Sequence, residues 1–414
     1  MGRPGVLMLV ENLSVPADPR VWREAQTLRR QGFQVSIICP MGETRDRETY
    51  TCIDGIRIYR YRPASANNSP SGYMKEYGVA MFKTFCLSLK VWLRHGFDVI
   101  HAANPPDTFF LIGLFFRLCG KYYIFDQHDL APAMFRVRFA GRMQPLYRLL
   151  RFFEWCSYRT ANIIITTNVS QRRNALAHGA RRSGQVFVVR NGPDLARYTR
   201  IPPDPELKRG KRYMLAYVGV MGAQDGVEYA LYALKELVQK HGRRDVLLTL
   251  IGDGDQLASL RILAQALKLE PYTHFTGWLS QNDMLRYLSA ADIGLSPDPS
   301  NELNDRSTML KTMEYMAMGM PVVAFDLPET RCSAQDAALY ATPNRVEEFA
   351  AHIATLLDDE ALRLSMGTRG RQRVEEELCW ERTSRQLLLA YEQLFPAPTA
   401  AQQSRDSITV SAGH

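Results

Sequence analysis

The sequence predicts an α/β protein built from two doubly wound domains that face a central cleft. Three observations carry this. At 414 residues the chain exceeds what one hydrophobic core normally serves. Short apolar runs alternate with segments of helical period in both halves, the pattern of parallel strands joined by crossover helices. Between the two alternations lies RIPPDPELKRGKR at 200–212, Pro-rich and charged, which reads as a linker.

In the first half, Val6 to Val10 is an apolar strand and Glu11 to Pro19 a loop. Arg20 to Gln31 has helical period (Val21, Ala25, Leu28) and stops at Gly32, before a strand at Phe33 to Cys39. Ile56 to Tyr61 is a further strand, Tyr73 to His95 a helix, Asp98 to Ala102 a strand and Pro105 to Leu118 an apolar helix. Tyr122 to Phe125 is a strand that ends in Asp126, Gln127, His128 and Asp129. Ligands of open α/β sheets bind beyond the carboxyl ends of the strands. His128 and His101 both stand at such ends, and Asp126 or Asp129 could orient the His128 ring.

The stretch from Phe135 to Arg159 is basic and aromatic. Leu146, Leu149, Leu150, Phe153 and Cys156 are expected as a core stripe, with Arg148, Arg151, Phe152, Trp155 and Arg159 on other faces. Such a helix suits a membrane interface; a core helix with a solvated basic face explains the same spacing. Asn162 to Thr166 and Val186 to Arg190 complete the strands of this half.

The second half alternates again. Strands are expected at Leu215 to Val218, Val246 to Ile251, His274 to Thr276, Ile293 to Ser296, Val322 to Ala324 and Leu339–Tyr340. Helices are expected at Val227 to Lys240, Gln256 to Leu267, Gln281 to Ala290, Val346 to Leu357, Glu360 to Glu377 and Thr383 to Leu394. The polar tail after Pro396 is expected to be disordered.

Composition narrows the function. The net charge of +8 divides into +15 over residues 1–200 and −7 over the rest. A basic half joined to an acidic half points to an anionic surface, nucleic acid or membrane; no nucleic-acid module appears. Seven cysteines, scattered and without a CxxC pair, fit reduced thiols better than a disulfide framework or zinc site. The N-terminal apolar run is short for a signal peptide and reads as a strand. The longest apolar run, Phe109 to Phe116, falls short of the roughly 20 residues a spanning helix needs.

One stretch concentrates chemistry: DRSTMLKTMEYMAMGMPVVAFD, Asp305 to Asp326. Asp305, Ser307 and Thr308 are N-cap types before the helix expected from Met309 to Met318, which Gly319 and Pro321 end. A helix start presents unpaired N–H groups that suit a phosphate. Lys311 lies in the first turn, and Glu314, at i+3, could accept two hydrogen bonds from a diol. An ordinary amphipathic helix with a Lys–Glu surface pair explains the spacing equally. Gly252-Asp253-Gly254 is a weak phosphate-loop signal, and no GxxxxGK[ST] is present.

Several strings together resemble the family 4 glycosyltransferases, retaining enzymes of the GT-B fold. They are DPRVWREAQTLRRQGFQVSIICP, FDQHD at 125–129, VVRNGPDLARY at 188–198, LIGDGDQLASL, FTGW, ADIGLSPD and KTMEYMAMGMPVVAFDLPE. The resemblance implies an acceptor-binding domain over 1–199, completed by the last helix near 380–395, and a donor-binding domain over 200–379. It implies a nucleotide-diphosphate sugar as donor, a UDP-sugar before a GDP-sugar, and no metal or cofactor. Glu314 matches the carboxylate that binds the donor ribose, and His128 the histidine facing the transferred sugar. Arg306, Ser307, Thr308 and Met309 match the loop that holds sugar and diphosphate, with Leu310 opening the helix. Gly252, Gly277 and Trp278 match positions around the base, and Gly219 and Met221 are taken with them on the donor side. Arg20, His101, Arg136, Arg138, Arg148, Arg151 and Trp155 are assigned to the acceptor or membrane side. The expected acceptor is a lipid-linked or other saccharide at the inner face of the cell membrane, in bacterial surface polysaccharide assembly. A soluble acceptor, or a nucleotide-sugar-binding subunit without catalysis, are the alternatives.

The sequence departs from the family in three places. Arg306 stands where the first of two glutamates is usual, Val220 and Asp225 where Arg and Lys are usual, and Asn12-Leu13-Ser14 where a glycine pair is usual. The diphosphate then needs another cation, and Lys311, with Arg306, is the candidate. Lys311→Ala is expected to weaken donor binding; unchanged affinity by calorimetry contradicts the assignment.

Overall fold

Two sheets order the chain. The structure, a computed structural model, describes residues 4–42, 45–63, 70–139 and 143–396, with the backbone alone for 70–76. The polar tail lies outside the described residues, as do Ala140 to Arg142 within the basic aromatic stretch.

The first sheet has eight strands in the order β3-β4-β2-β1-β5-β6-β7-β8. They are β1 (Gly5–Leu9), β2 (Gln34–Pro40), β3 (Tyr50–Ile53), β4 (Ile56–Tyr61), β5 (Val99–Ala103), β6 (Tyr122–Gln127), β7 (Ile163–Thr166) and β8 (Val186–Val188). All pairings are parallel except β3 with β4. That hairpin strand, YTCI, is absent from the sequence reading; Asp54-Gly55, both at positive φ, form its turn. The second sheet is wholly parallel, in the order β11-β10-β9-β12-β13-β14. Its strands are β9 (Tyr213–Val218), β10 (Val246–Ile251), β11 (Thr273–Gly277), β12 (Ile293–Ser296), β13 (Val322–Phe325) and β14 (Ala338–Ala341).

Helices cover both faces of each sheet. The first domain carries α1 (Pro19–Arg30), α2 (Pro70–His95), α3 (Phe110–Leu118), α4 (Ala131–Arg138), α5 (Gln144–Thr160) and α6 (Val169–His178). The second carries α7 (Val227–Gln239), α8 (Leu257–Ala266), α9 (Gln281–Ala290), α10 (Leu310–Ala317), α11 (Pro328–Ala334), α12 (Val346–Asp358) and α13 (Glu360–Arg373). The last helix, α14 (Trp380–Leu394), returns to the first domain. Its Trp380, Leu387, Ala390 and Tyr391 are buried with Val21, Ala25 and Leu28 of α1. Trp380 Nε1 donates to Thr27 Oγ1 at 3.0 Å.

The sequence missed α4, α6 and α11 as separate helices, and of the core stripe expected on α5 only part holds: Phe153 and Cys156 pack on the core. Leu146 and Leu149 are exposed, while Glu154, Ser157, Tyr158 and Thr160 face inward. A polar network under the helix explains the reversal. Glu154 accepts from Asn174 Nδ2 at 3.0 Å and Tyr158 Oη at 3.2 Å, so a buried carboxylate is satisfied where an apolar stripe was expected.

The chain crosses between domains twice, and the crossings touch. Trp380 N donates to Pro193 O at 3.2 Å. A Cβ on Gly192 would lie 1.7 Å from the backbone oxygen of Leu378. Gly192→Ala is therefore expected to destabilise the fold by about 3 kcal/mol, read as a lower midpoint in denaturant unfolding; a midpoint within error of wild type contradicts the close approach.

Candidate functional site

Both sheets direct the carboxyl ends of their central strands at the same cleft. On the first domain the residue there is His128, just past β6. Its Nε2 hydrogen-bonds Asp126 Oδ2 at 2.6 Å, and its Nδ1 takes no partner among the described residues. Asp126 is fully buried, so its charge must be compensated. Arg20 of α1 does this through Nη2 to Oδ1 at 2.9 Å and Nε to Oδ2 at 3.3 Å, and its Nη1 reaches Val189 O at 2.9 Å. Burial alone pushes Asp126 up, but Arg20 and His128 outweigh it and hold the carboxylate well below its usual range. Burial pulls His128 down, but Asp126 outweighs that and raises the imidazole above its ordinary value.

A second layer surrounds this pair. Glu24 lies 3.1 Å from Arg20 Nη2, and His101 Nε2 lies 3.5 Å from Asp126 and 3.7 Å from Glu24. Burial, then the Asp126 charge, pushes the Glu24 carboxyl up. His101 Nδ1 meets Tyr391 Oη of α14 at 2.9 Å. Glu24, His101 and Asp126 have ligand atoms close enough to hold a cation, and the Arg20 guanidinium already supplies positive charge there. Arg20 and His101, assigned from sequence to the acceptor side, are interior residues. They reach the cleft only through Asp126 and His128.

The loop carrying His128 is pinned from below. Asn104 Oδ1 accepts from the N–H of His128 at 2.6 Å and of Asp129 at 3.1 Å. Its Nδ2 donates to Asp107 Oδ1 at 2.8 Å. Burial raises the Asp107 carboxyl to about 7.

On the second domain, α10 begins at Leu310, after a 3₁₀ turn over Asn304–Arg306. Its N-cap is Met309, with no side chain capping the helix, rather than the Asp305, Ser307 or Thr308 expected. The N–H groups of Leu310 and Lys311 are thus left for another acceptor, while that of Thr312 turns back to Met309 O at 3.1 Å. Glu314 is largely enclosed; burial raises its carboxyl, against the hydrogen bond from Tyr198 and the Lys311 charge. Tyr198 Oη donates to Glu314 Oε1 at 2.5 Å. Lys311 is buried, not the free cation the sequence suggested: Nζ meets Asp298 Oδ1 at 2.5 Å and sits 5.1 Å from the Tyr217 ring centre. Arg306 points to Glu302 instead, at 3.5 Å.

The loops beside α10 approach through glycine. Gly252, at φ +135, lies where a Cβ would meet Gly219 O at 1.9 Å. Met221 is buried beneath them, its N–H donating to Asp253 O at 2.9 Å. Gly277 bridges to Gly252, and Trp278 is 77% exposed. Val220 is exposed, and Asp225 binds Gly222 N at 3.0 Å within its own loop.

Three hydrogen bonds at the start of α6 join the two sides. Asn168 Nδ2 donates to Arg306 O at 2.9 Å and to Thr308 Oγ1 at 3.1 Å. Gln171 Nε2 donates to His128 O at 3.2 Å. Ser170 N also donates to Glu329 of α11 at 2.8 Å. The sequence reading missed Asn168 and Gln171, although Asn-x-x-Gln is a capping-box pattern and Asn168 Oδ1 does cap Gln171 N at 2.8 Å. It also missed Glu24, Asn104, Tyr198 and Asp298.

The assigned arginines divide. Arg136 Nη1 pairs with Glu302 of the other domain at 2.7 Å, and Arg151 with Glu154 at 2.5 Å. Arg138 and Arg148 are exposed and take no ion pair among the described residues. Trp155 is 45% and Phe152 53% exposed.

Residues 17–192 match the model of the glycosyl transferase 4-like domain, and residues 212–359 that of glycosyl transferases group 1. A GDP-mannose-dependent monoacylated α-(1-6)-phosphatidylinositol monomannoside mannosyltransferase of Corynebacterium glutamicum is 29% identical over 205 residues, 46% of this chain and 52% of that protein. The matched stretch thus spans about half the length of that relative. A phosphatidyl-myo-inositol mannosyltransferase of Mycolicibacterium smegmatis is 23% identical over 92% of this chain and 90% of its own. The sucrose-phosphate synthase of Thermosynechococcus elongatus shares the fold, with TM-score 0.76, 18% identity and coverage of 95% and 99%.

Replacing Asp126 removes the group that raises His128 and leaves the burial that lowers it. In Asp126→Asn the His128 ring is therefore expected to titrate below an ordinary histidine rather than above it, by NMR; an unchanged titration contradicts the pairing.

Proposed function

We propose that the chain, which has the GT-B fold and matches glycosyltransferase models in both halves, is a retaining, metal-independent hexosyltransferase of the family 4 type. It moves a sugar from a nucleotide-diphosphate donor to a lipid-linked saccharide at the inner face of the cell membrane. The observation that carries the reading is the uncapped start of α10, tied through Asn168 and Gln171 to His128. The N–H groups there take the diphosphate, Glu314 takes the ribose hydroxyls, and His128 faces the sugar ring.

In the reaction the bond from the anomeric carbon to the diphosphate oxygen breaks through an oxocarbenium-like state. Charge gathers on the leaving phosphate, and in this reading the helix N–H groups and Lys311 stabilise it. Lys311 gives one donor to Asp298 and keeps two for the phosphate. The leaving oxygen accepts the proton of the acceptor hydroxyl, which attacks on the same face. His128 Nδ1, turned from Asp126, is the ring atom left for the sugar.

The acceptor side is argued from charge and from α5. Leu146, Leu149, Phe152 and Trp155, at steps of three, form an exposed apolar strip, with Arg148 beside it. A helix of this kind lies in a membrane interface. The relatives named for phosphatidylinositol acceptors favour a lipid-linked one here.

Two measurements test this. A thermal-shift screen of UDP-, GDP- and ADP-sugars should show one donor class stabilising the protein, with Asp298→Asn binding it several-fold tighter because Lys311 is released. No stabilisation by any donor contradicts the reading. Vesicle co-sedimentation should be lost when Arg138 and Arg148 are both changed to Glu; binding unchanged by that reversal contradicts the membrane assignment.

A further inference from the structure

A second basic feature lies at the other end of the first sheet. A cavity of about 380 Å³ opens where β7 and β8 begin, lined by Arg117, Arg159, Arg181, Arg182, Gly184 and Gln185 among others. No acidic side chain lines it, and none of the four arginines takes an ion pair among the described residues. Since β6 and β7 run parallel, their amino ends here are opposite to the carboxyl end that carries His128. The cavity is therefore separate from the cleft.

Two of the arginines have a local explanation. Arg117 and Arg159 lie in the last turns of α3 and α5, where cations suit the helix carbonyls, and Arg117 Nη1 donates to Thr160 O. Arg181 and Arg182 do not: they follow α6 and its Gly179 turn, and both are exposed. Their position brings charge toward charge. Burial lowers Arg117, and Arg181 lowers it further. A cavity that gathers uncompensated guanidinium groups has the chemistry of a phosphate site.

The surroundings indicate what brings the phosphate. Arg159 sits over the Trp155 ring, 5.7 Å from its centre, and the Trp155 Cδ1 edge lies 3.3 Å from where a Cβ on Gly179 would stand. Trp155 is also the last member of the exposed strip on α5, which runs from the cleft end of the domain toward this cavity. Leu118, next to Arg117, is 83% exposed. An amphipathic aromatic beside arginines is the arrangement of an interfacial anchor.

We propose that this arginine cavity binds the phosphate of an anionic lipid headgroup and so fixes how α5 lies on the membrane. The proposal rests on the membrane reading above but concerns other residues. A free pyrophosphate would be held by the same chemistry, and the experiment separates the two.

The full chain is sedimented with vesicles of phosphatidylcholine alone and of phosphatidylcholine with phosphatidic acid. Wild type, Arg181→Glu/Arg182→Glu and Arg181→Lys/Arg182→Lys are compared, each also titrated with inorganic pyrophosphate in a thermal-shift assay. The Glu pair should lose at least about thirtyfold in affinity for the acidic vesicles, from two basic residues at roughly 1 kcal/mol each near the surface, while the Lys pair keeps most of it. Donor binding should be the same in all three. Pyrophosphate stabilisation that the Glu pair abolishes, with vesicle binding unchanged, assigns the site to a soluble phosphate compound and overturns the lipid assignment. Equal vesicle binding and no pyrophosphate effect overturns the site altogether. Loss of vesicle binding by the Arg138 and Arg148 reversal, with none from the Glu pair, leaves the membrane reading standing and removes only this cavity from it.

Discussion

Asp126 is the constraint on which the first half of the site depends. It is a fully buried carboxylate, and an unpaired charge in that position would cost several kcal/mol. Arg20 neutralises it, and in doing so joins α1, the end of β6 and the backbone at Val189 just past β8. His128 is the exposed end of this arrangement. The ring is oriented because the charge beneath it must be held, so the same interaction serves stability and position. Tyr391 extends the network to α14, which makes the returning helix part of the support under His128 rather than a closing strap alone.

The second half is organised differently. Here the backbone carries the site: Gly252 brings its loop against the Gly219 carbonyl where a side chain would not fit, and α10 starts without a cap. Side chains tune it. Asp298 positions Lys311, and Tyr198, from the stretch that crosses between domains, positions Glu314. The start of α6 then couples the halves, since Asn168 holds the loop before α10 while Gln171 holds the loop of His128. Rearrangement of one domain against the other would have to break the Asn168 bonds, so the loop before α10 and His128 are set relative to each other by side chains that belong to neither.

Much of the architecture was legible because period and punctuation agree with the fold. β10, α9 and β12 lie where the sequence places them, and His128 does follow the carboxyl end of β6. Glu314 and the start of α10 became candidates through the resemblance joined to helix-start physics. What escaped follows from long-range pairing. Nothing local distinguishes Arg20 as a buried ion-pair partner from an exposed arginine in the first turn of a helix; its role appears only when β6 is brought beside it. Lys311 reads as a free cation until Asp298, thirteen residues earlier, is folded against it. On α5, three-residue spacing of leucines implied a core, but Glu154 with Tyr158 and Asn174 took the buried face. Asn168 and Gln171 were missed despite a local signal, because the short helix after β7 was not separated from its surroundings.

We propose that one cleft holds the diphosphate at the start of α10, the ribose at Glu314 and the sugar at His128. A crystal structure of the chain with an intact nucleotide-sugar, in the donor class that stabilises it, tests this most directly. Phosphate oxygens are expected on the N–H groups of the α10 start beside Lys311, a ribose hydroxyl on Glu314 and the sugar facing His128. A nucleotide bound elsewhere, with Glu314 still closed by Tyr198 and no phosphate at α10, would contradict it.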